Sequence, residues 1–221
     1  MPIPKEENPF LGERGIRVGL NRPDILRTQL RAILRASIDA KVMVMFPMIS
    51  NTQELKTAKG MLEQETKALN LKSIPVGIMV EVPSTAILAD KFAPLVDFFS
   101  VGTNDLTQYT LAMDRGNPKM AKHIDGLDPA VLRLIDLTVK AAKNHGKWVG
   151  VCGGIASEKI AVPLLLGLGV TELSVSVATL PGIKSRVRSI KMSECQKLVK
   201  NALECESAAA VRALVRSHYV D

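Results

Sequence analysis

Asn104 and Asp105 stand side by side in Val101-Gly102-Thr103-Asn104-Asp105-Leu106-Thr107-Gln108-Tyr109, just after an apolar run that includes Val96, Phe98 and Phe99. A carboxamide can donate to a phosphoryl oxygen, and a carboxylate is a hard oxygen ligand for Mg²⁺. On spacing alone the pair suits a structural Asx-turn equally well, and the order Gly-Thr-Asn-Asp predicts a strand-to-loop transition. Glu81 ends a second apolar run, Ile78-Met79-Val80, immediately before Val82-Pro83. An acid in that position needs a partner. With Asp105 on a neighbouring strand end it would hold one Mg²⁺ with several waters, leaving positions for substrate oxygens.

Two arginines lie in glycine-flanked segments, Arg14 in Gly12-Glu13-Arg14-Gly15-Ile16-Arg17 and Arg115 in Met113-Asp114-Arg115-Gly116-Asn117. A guanidinium forks onto phosphate, and a neighbouring glycine lets backbone approach an anion closely. In isolation Arg115 reads as a surface ion pair with Asp114, and Arg14 as a turn with exposed charge. Cys152 closes Val149-Gly150-Val151 ahead of Gly153-Gly154. It suits either a small buried apolar role or a positioned proton donor. A nucleophilic role lacks support, because none of His123, His145 and His218 sits at a recognisable partner position. Cys195 and Cys205 fall in C-terminal helical patterns and read as structural.

Five β-branched or apolar runs must position these groups: Val42–Met48, Val76–Val82, Phe98–Gly102, Trp148–Cys152 and Glu172–Ser176. Each is nearly all apolar, as parallel strands buried on both faces require. Helical patterns lie between them. Pro23 precedes Ile25, Leu26, Leu30, Ile33 and Leu34, and Ser50 with Gln53 forms a capping-box pattern ahead of Leu55. Asp128-Pro129 opens a further helix, and Ser193/Gln196 and Ser207 mark two closing ones. The alternation predicts an α/β fold. Without a Gly-x-Gly-x-x-Gly or a Walker lysine, a nucleotide-binding doubly wound sheet is disfavoured. Polar residues gather instead at the carboxyl ends of several strands, as on the top face of a (β/α)₈ barrel. Five strands of eight predict a partial TIM barrel, one domain over 1–221.

The composition narrows the class. Of 221 residues, 47% are hydrophobic, so a real interior forms and disorder is disfavoured. No apolar run approaches the roughly 18 residues of a membrane span, and the N-terminus lacks a signal-peptide layout. An odd three cysteines without metal-ligand spacing suggest a reducing cytosol, so a cytoplasmic location is expected. The net charge of +7 is scattered through amphipathic segments, and only 4% of residues are aromatic. A solvated basic surface is therefore favoured over a nucleic-acid partner.

The motifs together resemble the C-terminal, phosphoenolpyruvate-binding domain of enzyme I of the bacterial sugar phosphotransferase system. They are Glu7-Asn8-Pro9-Phe10-Leu11-Gly12-x-Arg14-Gly15-Ile16-Arg17, Phe46-Pro47-Met48-Ile49, Gly77-x-Met79-Val80-Glu81-x-Pro83, the Phe98–Tyr109 stretch, Asp114-Arg115-Gly116-Asn117 and Cys152-Gly153. Dikinases and phosphoenolpyruvate synthases share related motifs, but Tyr109–Asn117 is closer to enzyme I. The multiphosphoryl transfer proteins, which fuse enzyme I to other carriers, are equally compatible. The resemblance implies that Arg14 and Arg115 hold the phosphate and carboxylate region of phosphoenolpyruvate. It implies that Glu81 and Asp105 bind Mg²⁺, with Asn104 and Asp105 bordering the phosphate. Cys152 would protonate the enolate carbon that becomes the methyl group of pyruvate. A homodimer and a histidine phosphocarrier protein are the implied partners.

Two departures accompany the match. The family continues the cysteine motif as Cys-Gly-Glu, whereas this chain reads Cys152-Gly153-Gly154. The start at Met1-Pro2-Ile3-Pro4 falls inside a segment that the family continues upstream. This predicts a truncated barrel without a further phosphate-binding arginine or the phosphohistidine domain, hence an isolated chain without activity. The alternatives are a non-catalytic phosphoenolpyruvate-binding or dimerisation module and a pyruvate phosphate dikinase-like fragment.

Overall fold

The computed structural model describes residues 6–219; the remainder, including the Met1-Pro2-Ile3-Pro4 start, lies outside the described residues. Five parallel strands form one sheet: β1 Val44–Phe46, β2 Val76–Val80, β3 Phe98–Gly102, β4 Trp148–Cys152 and β5 Glu172–Leu173. Their spatial order follows the chain, β1-β2-β3-β4-β5. Parallel crossovers are right-handed, so a sheet that never reverses direction carries all its helices on one face. That is the wall of a β/α barrel rather than a doubly wound sheet.

The register separates the two faces. Phe46, Ile78, Phe99 and Val149 form one buried row across four strands, and Val80, Val101 and Val151 form the next. These rows meet the helices Pro23–Ala36, Thr52–Ala68, Pro129–Asn144 and Val162–Leu168, which bury Leu30, Leu34, Leu55, Leu62, Leu132, Ile135, Leu164 and Leu165. Each such aliphatic side chain contributes about 1.5–3 kcal/mol by leaving water. The alternate positions Met45, Met79, Ser100, Trp148 and Cys152 are less buried. On that face Phe98 and Trp148 stack, with centroids 4.6 Å apart and planes 5° from parallel.

β3 and β4 match their expected bounds, while the other three are shorter. Met48 turns the chain at φ 54, which ends extended backbone after β1. Val82 is the N-cap of the helix Pro83–Ile87, so the proline closes β2 two residues early. β1 and β5 each pair on one side only, which shortens both.

Asp128 caps its helix by accepting from the Ala130 N–H at 2.9 Å, and Ser207 accepts from Ala210 at 3.2 Å. The Ser50/Gln53 box is displaced. Asn51 is the cap, accepting from Glu54 N at 3.0 Å, while the Glu54 carboxylate reaches back to the Ser50 N–H at 2.7 Å. A carboxylate takes that N–H more strongly than the Gln53 carboxamide would. The helix Met192–Ala202 starts at Lys191 with no side-chain cap, so Ser193 does not serve. Cys195 is buried in that helix, whereas Cys205 lies in the connection that follows it. Among the described residues no helix is long and apolar enough to cross a membrane.

Candidate active site

The carboxyl ends of β2, β3 and β4 bring the polar residues together. After β3 there is no loop: the helix Thr103–Leu111 starts directly at Gly102, with Asn104 and Asp105 in its first turn. The expected strand-to-loop transition is therefore a strand-to-helix junction. Leu106 is fully buried and Thr107 nearly so, and packing this segment into the core selects helix over an Asx-turn. Asp105 gains from the N-terminal end of the helix dipole.

Asp105 is the hub. Its Oδ1 and Oδ2 accept from Arg14 Nη1 at 3.4 Å and Nη2 at 3.3 Å, and Oδ1 also accepts from Arg115 Nη2 at 3.3 Å. Arg115 pairs with Asp105 and not with Asp114, whose carboxylate takes the Gly116 N–H at 2.7 Å. Arg14 is likewise not a free turn charge. Both guanidiniums lie over the Phe10 ring, 5.3 and 5.9 Å from its centroid, as cation–π contacts. Tyr109 locks this arrangement: its hydroxyl donates to the Phe10 carbonyl and accepts from Arg14 Nη1 at 3.1 Å. The Gln108 carboxamide oxygen accepts the Arg115 N–H at 3.0 Å. Phe10, Gln108 and Tyr109 sit inside the quoted motifs, yet nothing in their spacing assigned them these tasks.

Glu81 lies beside this hub. Its Oε1 accepts the Met48 N–H at 2.6 Å. Burial pushes the Glu81 carboxyl above the usual carboxylate range; the Met48 bond opposes this, and the charge of nearby Asp105 adds to it. Gly102 makes room, since a Cβ there would lie 2.8 Å from Met79 Sδ and 3.1 Å from Glu81 Oε2. Gly15, at φ 56, packs its bare Cα on Met48, where a Cβ would come within 2.6 Å. The Arg14 loop thus rests on the turn that holds Glu81. Two nearly buried carboxylates, partly offset by arginines, suit a small hard cation that keeps waters and takes further oxygens from a substrate. Among the described residues no group of three or more His, Cys, Asp or Glu is placed to hold a metal ion, so Glu81 and Asp105 are the carboxylates on offer at this site.

The β4 end adds a second group. Thr103 Oγ1 donates to the Cys152 carbonyl at 2.7 Å, and Asn104 Oδ1 accepts the Gly154 N–H at 2.8 Å. Asn104 is thereby oriented by the loop after Cys152, and its NH₂ has no acceptor among the described residues. Cys152 Sγ is 3.4 Å from the Val101 carbonyl and 3.6 Å from Met79 Sδ. Burial raises its thiol above the ordinary value, and the Glu81 charge acts in the same direction. It stays protonated at neutral pH. The structure thus brings Arg14, Glu81, Asp105 and Arg115 into one cluster, with Asn104 and Cys152 joined at its edge through the Gly153-Gly154 loop.

Residues 1–192 match the sequence profile of the PEP-binding domain of PEP-utilising enzymes. A multiphosphoryl transfer protein from Rhodobacter capsulatus is 53% identical over 212 residues, covering 96% of this chain and 26% of that protein. A phosphoenolpyruvate-protein phosphotransferase from Staphylococcus carnosus (strain TM300) is 45% identical, covering 99% of this chain and 39% of that protein. The chain therefore spans between a quarter and two fifths of the length of these relatives. A solved citrate lyase structure from Burkholderia xenovorans LB400 superposes with a TM-score of 0.58 at 18% identity, over 86% of this chain and 68% of that one. At that identity the likeness speaks to the barrel-type fold alone.

Proposed function

The chain belongs to the PEP-binding domains of PEP-utilising enzymes, and on that footing we propose that it is the phosphoenolpyruvate- and Mg²⁺-binding part of a phosphoenolpyruvate-protein phosphotransferase. The observation that carries this reading is the pairing of Asp105 with both Arg14 and Arg115 beside Glu81. Glu81 and Asp105 would hold the cation, which when bound offsets charge on the phosphoryl group and the developing enolate. The two guanidiniums bind the phosphate and carboxylate of the substrate, already aligned on Phe10. Asn104 offers its NH₂ to a phosphoryl oxygen. As the phosphoryl group leaves, the enolate oxygen keeps the bonding pair of the broken P–O bond. Cys152 then gives its proton to the enolate methylene carbon, completing pyruvate and leaving a thiolate. A thiol held protonated by burial suits a donor and not a nucleophile.

The phosphoryl acceptor is a histidine outside this set of residues. Among the described residues no hydrogen bond joins His123, His145 or His218 to the cluster, and the His218 ring bonds the Leu214 carbonyl of its own helix at 2.9 Å. From that histidine the phosphate passes to a histidine phosphocarrier protein that serves sugar uptake. A cytoplasmic homodimer is the working form. Calorimetric titration with phosphoenolpyruvate tests the reading: heat that requires Mg²⁺ and disappears in Asp105→Ala supports it, and no heat from a folded chain overturns it. Incubation with ³²P-labelled phosphoenolpyruvate should leave this chain unlabelled, and stable label would refute the external acceptor. Gly154, where the family has glutamate, favours a second reading as a non-catalytic binding module. Substrate binding without pyruvate release in the presence of the phosphohistidine domain would select it.

A further inference from the structure

We propose that the chain carries a second anion site, for a phosphate-bearing small molecule, between the segment after β4 and the helices Leu180–Ser189 and Ala208–His218. A cavity of about 560 Å³ lies there, lined by Lys159, Arg186 and Arg216 with Ser185, Ser189 and Glu158. It shares no residue with the Arg14–Asp105–Arg115 cluster. Glu158 is the single acid of the lining, and Arg212 already engages its carboxylate at 2.8 Å. Arg212 in turn holds Asp125 through two further bonds. Lys159, Arg186 and Arg216 make no ion pair among the described residues. Among the described residues the cavity therefore gathers three cations and no anion that is free to pair with them.

Arg186 points most directly to a ligand. Its Nε–H is buried and has no acceptor among the described residues. A buried donor of this kind calls for a missing acceptor. The guanidinium lies 4.7 Å over the Tyr219 ring, which fixes its plane and leaves the donor edges for another group. Tyr219 does not supply the anion, since burial pushes its hydroxyl up to about 12 and it stays neutral. Gly182 is part of the construction: a Cβ there would lie 3.1 Å from Lys159 Cε, so the bare glycine lets the lysine stem lie along the helix. Arg188, on the same last turn, complements the helix dipole without lining the cavity.

An arginine fork, a lysine and an arginine as further cations, and serine hydroxyls match a phosphate group. The volume falls within the range of roughly 300–1,000 Å³ typical of small-molecule sites, more than bare phosphate fills. The ligand class is thus a phosphate monoester with an organic body.

Titration of the whole chain with inorganic phosphate and with glycerol 3-phosphate, at constant ionic strength, tests this. Arg186→Gln and Lys159→Met should each weaken one binding event about tenfold. Arg115→Gln should leave that event unchanged, which separates it from the phosphoenolpyruvate reading. Glycerol 3-phosphate should bind this site more tightly than phosphate. An isotherm unchanged in the Lys159→Met chain, with native circular dichroism, overturns the proposal.

Discussion

The Asn104 carboxamide oxygen accepts the Gly154 N–H at 2.8 Å, fifty residues along the chain. This bond ties the first helical turn after β3 to the loop after β4, and so couples the segment that carries Asp105 to the cysteine loop. It is made by backbone at position 154 and needs no side chain there.

That relationship predicts unequal tolerance in the two glycines. A Cβ on Gly154 would meet nothing closer than Asn104 Oδ1 at 3.4 Å, so Gly154→Ala should change stability by less than about 0.5 kcal/mol. Gly153 sits at φ 93, and a Cβ there would lie 2.5 Å from Thr103 Oγ1, the donor to Cys152. Gly153→Ala should cost about 1–3 kcal/mol. Urea unfolding of the two variants measures the contrast, and equal midpoints would contradict it.

Asp105→Asn removes the charge shared by two guanidiniums. Each charged hydrogen bond is worth about 1.5–3 kcal/mol, so Mg²⁺-dependent affinity for phosphoenolpyruvate should fall at least about tenfold. Calorimetry checks this, and undiminished affinity would remove Asp105 from the site.

Tyr109→Phe deletes the donor to the Phe10 carbonyl and the acceptor of Arg14 while keeping the ring. Stability should fall by about 1 kcal/mol. Phosphoenolpyruvate affinity should fall further than that loss alone explains, because Phe10 would no longer be held beneath Arg14. The comparison is of thermal midpoint against binding constant in one preparation.

Acid stability should depend on Asp125. Burial by itself would raise its carboxyl, but hydrogen bonds from Arg212 and the Leu127 N–H outweigh that and hold it below 3.8. A carboxyl depressed in the folded state contributes its full stability above the unfolded value, and loses it as pH falls through the folded one. Urea midpoints of the wild type should therefore drop below about pH 4. Asp125→Asn should be less stable at pH 7 and show a shallower acid decline. Parallel curves would exclude Asp125 as the titrating group.

How much of this was legible in the sequence differs by element. β3 and β4 were readable to the residue because they are nearly all apolar and paired on both sides. β1 and β5 were overestimated because their runs continue past the point where a neighbour exists to pair with. Asp128 and Ser207 were readable as caps, since a cap is a local bond. The cap of Thr52–Ala68 slipped by one residue, because Asn51 and Ser50 are both good acceptors and only the reach of Glu54 separates them.

The six candidate site residues were identifiable from residue type and motif order, because phosphate and Mg²⁺ chemistry admit few side chains. Their partners were not. Asp114 is beside Arg115 in sequence, yet the arginine bonds Asp105; Arg14 reaches the same carboxylate across 91 residues. Sequence alone determined the parallel α/β class and the donors available, because hydrophobic period and functional-group chemistry are local properties. Tertiary structure decided which donors meet, that Asn104 and Asp105 open a helix, and that Phe10 and Tyr109 hold the arginines. Those outcomes depend on strand register and core packing, which no local stretch encodes.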